Sequence, residues 1–139
     1  MRQTLKKHER LHGKKTIDHL FLHGTSFFSH PFVVYHQTVP MTGASPLCVV
    51  LFSVSKKKFP HATQRNLLKR RMREAFRKNK HLIYNKIAEL QTNDLHLAFI
   101  YTHNAILDYA RIEKKMVESI AQYSQHRDTE DTELHKEKS

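Results

Sequence analysis

The feature that most constrains this chain is a block of positive charge that begins where a strongly apolar segment ends. Residues 47–55 read LCVVLFSVS, a near-continuous apolar run typical of a strand buried on both faces. The segment that follows, from Lys56 to Lys80, contains a single acidic residue, Glu74. Its eleven basic residues are Lys56, Lys57, Lys58, Arg65, Lys69, Arg70, Arg71, Arg73, Arg77, Lys78 and Lys80. The fold must therefore bury the first segment and hold the second at a surface.

Helical periodicity predicts a helix with one apolar and one cationic face from about Ala62 to Lys78. Charged helix faces usually meet only solvent, but here Glu74 alone is placed to relieve repulsion between like charges at i,i+4 spacing. Phosphate groups of a nucleic acid are therefore the leading partner. The apolar face holds Leu68, Met72, Ala75 and Phe76. The cationic face holds Arg65, Asn66, Lys69, Arg70, Arg73 and Arg77.

Strand-like segments come first and last with helices between them, which indicates a mixed α/β sandwich. Cys48 is the only cysteine and lies in the apolar run, which favours a reducing, intracellular setting. No apolar stretch approaches the roughly 20 residues that span a bilayer. We predict a short helix at 16–24, strands at 32–39, 47–55 and 95–101, a helix at 82–90 separate from the basic one, and a last helix at 108–123.

The formal net charge of +11 is unevenly distributed along the 139 residues. Residues 1–123 are predicted to form one nucleic-acid-binding domain that begins with a basic arm, 1–15. Residues 124–139 carry five acidic and three basic residues and a single aliphatic one, Leu134, which predicts a disordered tail.

Several motifs in a fixed order resemble the protein subunit of bacterial ribonuclease P. They are SVSKK (53–57) followed by RNLLKRRMREAFR (65–77), preceded by LKKHERL (5–11), IDHLFLHGTSF (17–27) and PFVVY (31–35). The resemblance covers residues 5–123. Three departures are Leu67 in place of an arginine, Val49 to Phe52 in place of R-V-G-L, and Pro60 in the loop before the basic helix. Arg71 and Arg77 are candidates to replace the missing cationic contact.

The resemblance implies the protein subunit of a cytoplasmic ribonucleoprotein that matures the 5′ ends of tRNAs. In that family, the protein binds the catalytic RNA and the 5′ leader of precursor tRNA, and it assists endonucleolytic removal of the leader. The RNA performs the Mg²⁺-dependent cleavage. The implied fold is an α+β two-layer sandwich with a mixed sheet of about four strands and a left-handed βαβ crossover. The alternative is a ribosomal or assembly RNA-binding protein of related fold with no role in cleavage.

The same resemblance assigns residues to two RNA surfaces. The leader is assigned to Ile17, Phe21 and Tyr35, where aromatic rings suit the stacking of any base; core packing is the rival role for Phe21. Phe27 and Phe28 point to opposite sides of an extended chain, so that one of them is a candidate for exposure. The catalytic RNA is assigned to Lys56, Lys57, Arg65, Asn66, Lys69, Arg70 and Arg73.

The residues predict neither a protein catalytic group nor a protein metal site. The eight acidic residues before the tail show no D-x-D, D-x-E or E-x-D spacing of the kind that suits a metallonuclease. His19 and His23 have the i,i+4 spacing of zinc ligands, but the spacing marks no third ligand. The resemblance implies that Mg²⁺ is bound chiefly by the RNA, and the absence of such spacings agrees with it.

Overall fold

The computed structural model contains four strands, three α-helices and a short 3-10 turn at Lys7–Glu9. It describes residues 6–90 and 93–138, and the side chains of residues 6–89 and 93–124. In chain order the elements are α1 (Lys14–His23), β1 (Thr25–Ser29), β2 (Phe32–Pro40), β3 (Cys48–Val54), α2 (Ala62–Leu90), β4 (Asn93–Tyr101) and α3 (Tyr109–Lys138).

The strands form one mixed sheet in the order β1-β2-β4-β3. The pairs β1–β2 and β2–β4 are antiparallel, whereas β3 and β4 are parallel and are joined through α2. The predicted α+β sandwich with a sheet of about four strands is confirmed. The handedness of the β3-α2-β4 connection stays a prediction. β1 was not predicted from the sequence; it is short and buries only Phe27 and Ser29.

The two faces of the sheet are covered by different helices. Successive side chains of a strand point to opposite faces, so Leu97 and Phe99 of β4 lie on one face and Ala98 on the other. The first face packs against α2 and α3 in the main core, where Phe99 contacts the Phe52 and Phe76 rings at centroid distances of 5.9 Å. On the second face Ala98 forms a smaller core with Leu11 and Leu20 of the N-terminal segment.

The apolar periodicity of the helices is confirmed, but two predicted boundaries differ. The basic helix does not end near Lys78, because α2 continues without a break to Leu90. Ile83 and Ile87, both buried, extend the apolar face of α2 beyond Phe76. The predicted separate helix at 82–90 is therefore wrong.

The last helix begins where the sequence predicts, because the backbone N–H of Arg111 donates to Asp108 Oδ1 over 2.9 Å. Ile112, Met116, Ile120 and Tyr123 are all buried. This helix, α3, extends past its predicted end at Tyr123. The side chains of 125–139 lie outside the described residues, so the division into a domain (1–123) and a tail (124–139) stays a prediction.

A buried ionic cluster attaches the N-terminal segment to α2. The Glu9 carboxylate accepts hydrogen bonds from Lys80 Nζ at 2.9 Å, the Tyr84 hydroxyl at 2.6 Å and the Lys6 backbone N–H at 3.0 Å. Next to it, Arg10 forms a parallel bridge with Val50, and the Leu11 N–H donates to the Val50 carbonyl at 2.9 Å. Part of the predicted basic arm thus covers the exposed edge of β3.

A close approach at Gly24 joins α1 to the sheet. A Cβ atom at this position would lie 2.4 Å from the Leu20 carbonyl oxygen and 3.0 Å from that of His36. The predicted helix stop at Gly24 is confirmed, and α1 begins two residues before Thr16, at Lys14. Among the described residues, no helix combines the length and the apolar character that a membrane span requires.

Candidate nucleic-acid interface

The first candidate surface, the α2 cationic face, consists of Arg65, Asn66, Lys69, Arg70 and Arg73. The apolar side of the same turns is fully buried, with Leu68, Met72 and Phe76 in the main core. Burial of that side turns Asn66, Arg70 and Arg73 outward, and all three are exposed. The predicted orientation of the amphipathic helix is therefore correct.

This face is slightly concave. A shallow open depression of about 600 Å³ is lined by Thr63, Leu67 and four of the five residues of the face (Asn66, Lys69, Arg70 and Arg73). Leu67, which stands where the resembled family has an arginine, is therefore part of this surface. Its side chain carries no charge, so the cationic contact that the resemblance implies at this position is missing.

The arginines proposed to replace that contact are engaged elsewhere. Arg71 Nη1 donates to the Leu107 carbonyl at 2.7 Å and supports the loop before α3. Arg77 forms an ion pair with Glu74 at 2.8 Å. The hydrogen bond from Arg77 holds the pKa of Glu74 below its ordinary value, so this carboxylate stays charged. The α2 cationic face thus lacks one positive charge relative to the family pattern.

Arg65 has a structural contact as well as a place on the face. Its Nη1 donates to the carbonyl oxygens of Phe59 and Pro60, each at 2.9 Å. These bonds secure the loop between β3 and α2. Lys56 and Lys57 lie in the same loop and are exposed, directly after the end of β3. The cationic surface therefore extends from α2 to one end of the sheet.

The second candidate surface consists of Ile17, Phe21 and Tyr35, and we call it the aromatic cleft after the leader site that the resemblance implies. Phe21 of α1 and Tyr35 of β2 meet edge to face with ring centroids 4.8 Å apart. Phe21 is 36% exposed, so it is not a fully buried core residue. Ile17 and Tyr35 are partly buried against the smaller core of Leu11, Leu20 and Ala98.

The two surfaces lie on opposite sides of the sheet. The α2 helix packs on the face of Leu97 and Phe99, whereas Tyr35 pairs with Ala98 and shares the other face. The side chains of Phe27 and Phe28 also lie on opposite faces of the sheet. Phe27 is buried in the main core, and Phe28 is 62% exposed on the Tyr35 side. One RNA could thus contact α2 while another contacts the aromatic cleft.

The histidine pair of α1 is tied to the sheet. His19 and His23 have ring centroids 4.6 Å apart, and His19 Nδ1 lies 3.0 Å from Gln37 Oε1. Across the described residues, no group of three or more His, Cys, Asp or Glu side chains is placed to hold a metal ion. Burial raises the pKa of the Cys48 thiol, so the thiolate that nucleophilic catalysis requires is disfavoured.

Sequence patterns did not indicate the Glu9 cluster. Glu9 and its partners Lys80 and Tyr84 are more than 70 residues apart in the chain. Burial raises the pKa of Glu9, but hydrogen bonds from Tyr84, the Lys6 backbone and Lys80 outweigh it and hold the pKa below its ordinary value of 4.5. The signal available in the sequence was the position of Glu9 within the basic motif LKKHERL. A single acidic side chain among several basic ones indicates an ion pair.

Comparison with known proteins places the chain among RNA-processing proteins. The family model described as Ribonuclease P matches residues 5–124. A Ribonuclease P protein component from Porphyromonas gingivalis is 34% identical over 116 residues, covering 84% of this chain and 83% of the relative. Another from Chlorobium phaeobacteroides is 41% identical over 83 residues, covering 58% of this chain and 57% of the relative. The solved RNase P protein from Thermotoga maritima aligns with a TM-score of 0.64 at 24% identity, over 82% of this chain and 96% of that one.

Proposed function

This chain belongs to the ribonuclease P protein family, and from that premise we propose that it binds two RNAs on opposite faces of its sheet. Its function is that of the protein subunit of an endoribonuclease ribonucleoprotein in tRNA processing. The observation that carries the two-surface proposal is the separation of the α2 cationic face from the aromatic cleft by the sheet. The alternative, a ribosomal or assembly protein with no role in cleavage, is not favoured by the family match.

The α2 cationic face, together with Lys56 and Lys57, is proposed to bind the phosphate backbone of the ribonuclease P RNA. Arg70 and Arg73 are exposed on a helix whose opposite side is fully buried, so their charges cannot turn into the core. Each cation that neutralises a phosphate releases condensed counterions, which makes the affinity fall as salt rises. Asn66 adds amide hydrogen-bonding groups to the same concave surface.

The aromatic cleft is proposed to receive the single-stranded 5′ leader of precursor tRNA. The exposed part of Phe21 and the edge-to-face Tyr35 ring offer apolar surface that accepts any base. Ile17 contributes aliphatic contact beside them, with less stacking than an aromatic residue would give. Because the two surfaces are separate, the protein can bind the precursor tRNA and the catalytic RNA at the same time.

Mg²⁺ is proposed to be held chiefly by the RNA. The described side chains do not fit a Mg²⁺ site, since they provide no cluster of oxygen ligands of the kind the ion prefers. The protein is then expected to act by binding and positioning RNA, with no catalytic residue of its own. We place the complex in the cytoplasm, where precursor tRNAs are processed in the resembled family.

The two surfaces can be tested with paired variants of the full chain. Arg70→Ala with Arg73→Ala should weaken binding to the ribonuclease P RNA and reduce the slope of log affinity against log salt by about 1.4–1.8. Arg111→Ala with Lys114→Ala is the matched control, because it removes two exposed positive charges from α3. An unchanged slope in the first double variant would mean that the α2 cationic face meets only solvent.

Cleft variants should show the opposite pattern. Phe21→Ala and Tyr35→Ala should leave affinity for the ribonuclease P RNA unchanged while reducing the preference for precursor over mature tRNA. The expected loss is about five- to a hundred-and-fifty-fold, which corresponds to one stacked base. Melting temperatures are measured alongside. If a stably folded variant keeps the preference for precursor over mature tRNA, the leader does not bind in this cleft.

A further inference from the structure

Three aromatic rings cluster at one end of the sheet, outside both surfaces described so far. Phe28, at the end of β1, is 62% exposed. Its ring lies 6.4 Å from that of His30 between centroids, and His30 meets the ring of His103 edge to face at 4.7 Å. We call Phe28, His30 and His103 the terminal ring cluster. A large apolar ring left exposed beside two polar rings has no role in the packing of the core.

Two hydrogen bonds join the segments that carry His30 and His103. The N–H of Thr102 donates to the Pro31 carbonyl at 2.9 Å, and the Thr102 hydroxyl donates to the same oxygen at 3.3 Å. These bonds join the segment after β4, which carries His103, to the turn that carries His30. The two histidine-bearing segments are thus held together before any ligand arrives, which lowers the entropy cost of binding between them.

The terminal ring cluster continues the aromatic cleft along the sheet. In the β1–β2 register, Ser26 pairs with Tyr35 and Phe28 pairs with Val33. Since side chains two residues apart share a face, Phe28 and Tyr35 lie on the same side of the sheet. Diagonal neighbours of this kind are about 7–8 Å apart. A single strand of RNA bound at Phe21 and Tyr35 can therefore reach Phe28 without crossing the sheet.

Positive charge lies at the same end of the sheet. Lys58 Nζ donates to the carbonyl oxygen of Thr102, next to His103. Lys58 is exposed, and it belongs to neither of the two surfaces described above. Aromatic rings beside lysines form the combination that binds single-stranded nucleic acid, with bases on the rings and phosphates near the cations.

We propose that the terminal ring cluster is a second base-stacking site for the single-stranded leader, contiguous with the aromatic cleft. This inference rests on the proposed function of that cleft. A second copy of the chain is a poorer occupant, because an aromatic side chain buries at most about 250 Å² and stable protein interfaces bury about 1,200–2,000 Å². One nucleobase matches the size of the exposed Phe28 ring.

The test measures binding of precursor tRNAs with progressively longer leaders to the complex of full-length protein and ribonuclease P RNA. Phe28→Ala should lower affinity at least about fivefold once the leader is long enough to reach the cluster. It should leave affinity for mature tRNA unchanged. The leader length at which this loss appears should differ from the length at which Tyr35→Ala first acts. Phe28→Tyr should retain the affinity, whereas Phe28→Leu should lose it.

Leu22→Ala is the matched control, because Leu22 is an apolar side chain that is 77% exposed on α1. Wild-type affinity of Phe28→Ala at every leader length would overturn the proposal. So would an equal loss for precursor and mature tRNA, or a change in oligomeric state by sedimentation, which would indicate a protein contact. If Tyr35→Ala lowers the affinity for precursor tRNA and Phe28→Ala does not, the leader binds at the aromatic cleft and not at the terminal ring cluster. If neither acts, the leader site itself is refuted.

Discussion

Replacing Glu9 with glutamine should destabilise the fold more than the loss of an ordinary surface ion pair. The Glu9 side chain is only 4% exposed, and its partner Lys80 is 14% exposed. Removing one partner of a buried pair takes the opposite charge away from the other and costs about 3–5 kcal/mol. Because the Lys80 ammonium retains some contact with water, we expect the lower end, about 3 kcal/mol.

Equilibrium urea unfolding provides the assay. For an m-value of about 2 kcal/mol/M, a loss of about 3 kcal/mol lowers the midpoint by about 1.5 M. Tyr84→Phe is the companion variant, because it keeps the ion pair and removes the hydrogen bond to the carboxylate, together with the weaker bond that the hydroxyl accepts from the Cys48 N–H at 3.3 Å. It should cost about 1.5–3 kcal/mol. In a double-mutant cycle, Glu9→Gln and Lys80→Met should together cost less than the sum of the two single changes.

The same cluster predicts a dependence on pH. Since the folded pKa of Glu9 lies below its ordinary value of 4.5, its contribution to stability is complete at neutral pH. That contribution is lost as the pH falls below about 4.5 and through the folded pKa. Glu9→Gln should therefore flatten the acid side of the stability profile. A loss under 1 kcal/mol, with an unchanged acid profile, would refute the cluster as a buried ion pair and place it with exposed pairs.

Three further predictions concern stability and the chain terminus. Gly24→Ala should destabilise the fold by about 1–3 kcal/mol in chemical denaturation, because the new Cβ would meet the Leu20 and His36 carbonyls; unchanged stability would contradict the close approach of α1 to β2. Met72→Ala should cost about 2–5 kcal/mol, since this side chain is fully buried against the sheet, whereas Arg73→Ala, one residue away and exposed, should cost little. Removing residues 124–139 should leave the melting temperature and the stimulation of cleavage nearly unchanged, and loss of most activity would mean that the domain boundary is misplaced.

Sequence reasoning succeeded where the signal was periodic and local. Leu68, Met72 and Phe76 repeat at helical spacing, and that repeat fixed which side of α2 is buried and therefore which side carries Arg70 and Arg73. Tyr35 was placed on a strand because its neighbours are apolar and β-branched. These features depend on residues within one or two turns of each other, so the sequence displays them directly.

Prediction from the sequence failed where the local structure depends on a residue that is distant in the chain. Two separate helices were predicted, one on each side of Lys80, but Lys80 faces Glu9 from within a continuous α2. β1 was missed because Phe28 is exposed, so the strand shows little apolar alternation. Its five residues are held by pairing with β2 and by the buried hydrogen bond from Ser119 of α3 to Ser29, at 2.9 Å. Neither contact leaves a local pattern.

The most direct test of the central claim is single-turnover cleavage of precursor tRNA by a bacterial ribonuclease P RNA at low Mg²⁺, with and without the full-length protein. The account predicts that the wild-type protein stimulates removal of the 5′ leader. The Arg70→Ala, Arg73→Ala double variant should stimulate cleavage only at higher protein concentration, because it binds the ribonuclease P RNA more weakly. Binding to the RNA without any stimulation of cleavage would contradict the account and favour an RNA-binding protein with no role in processing.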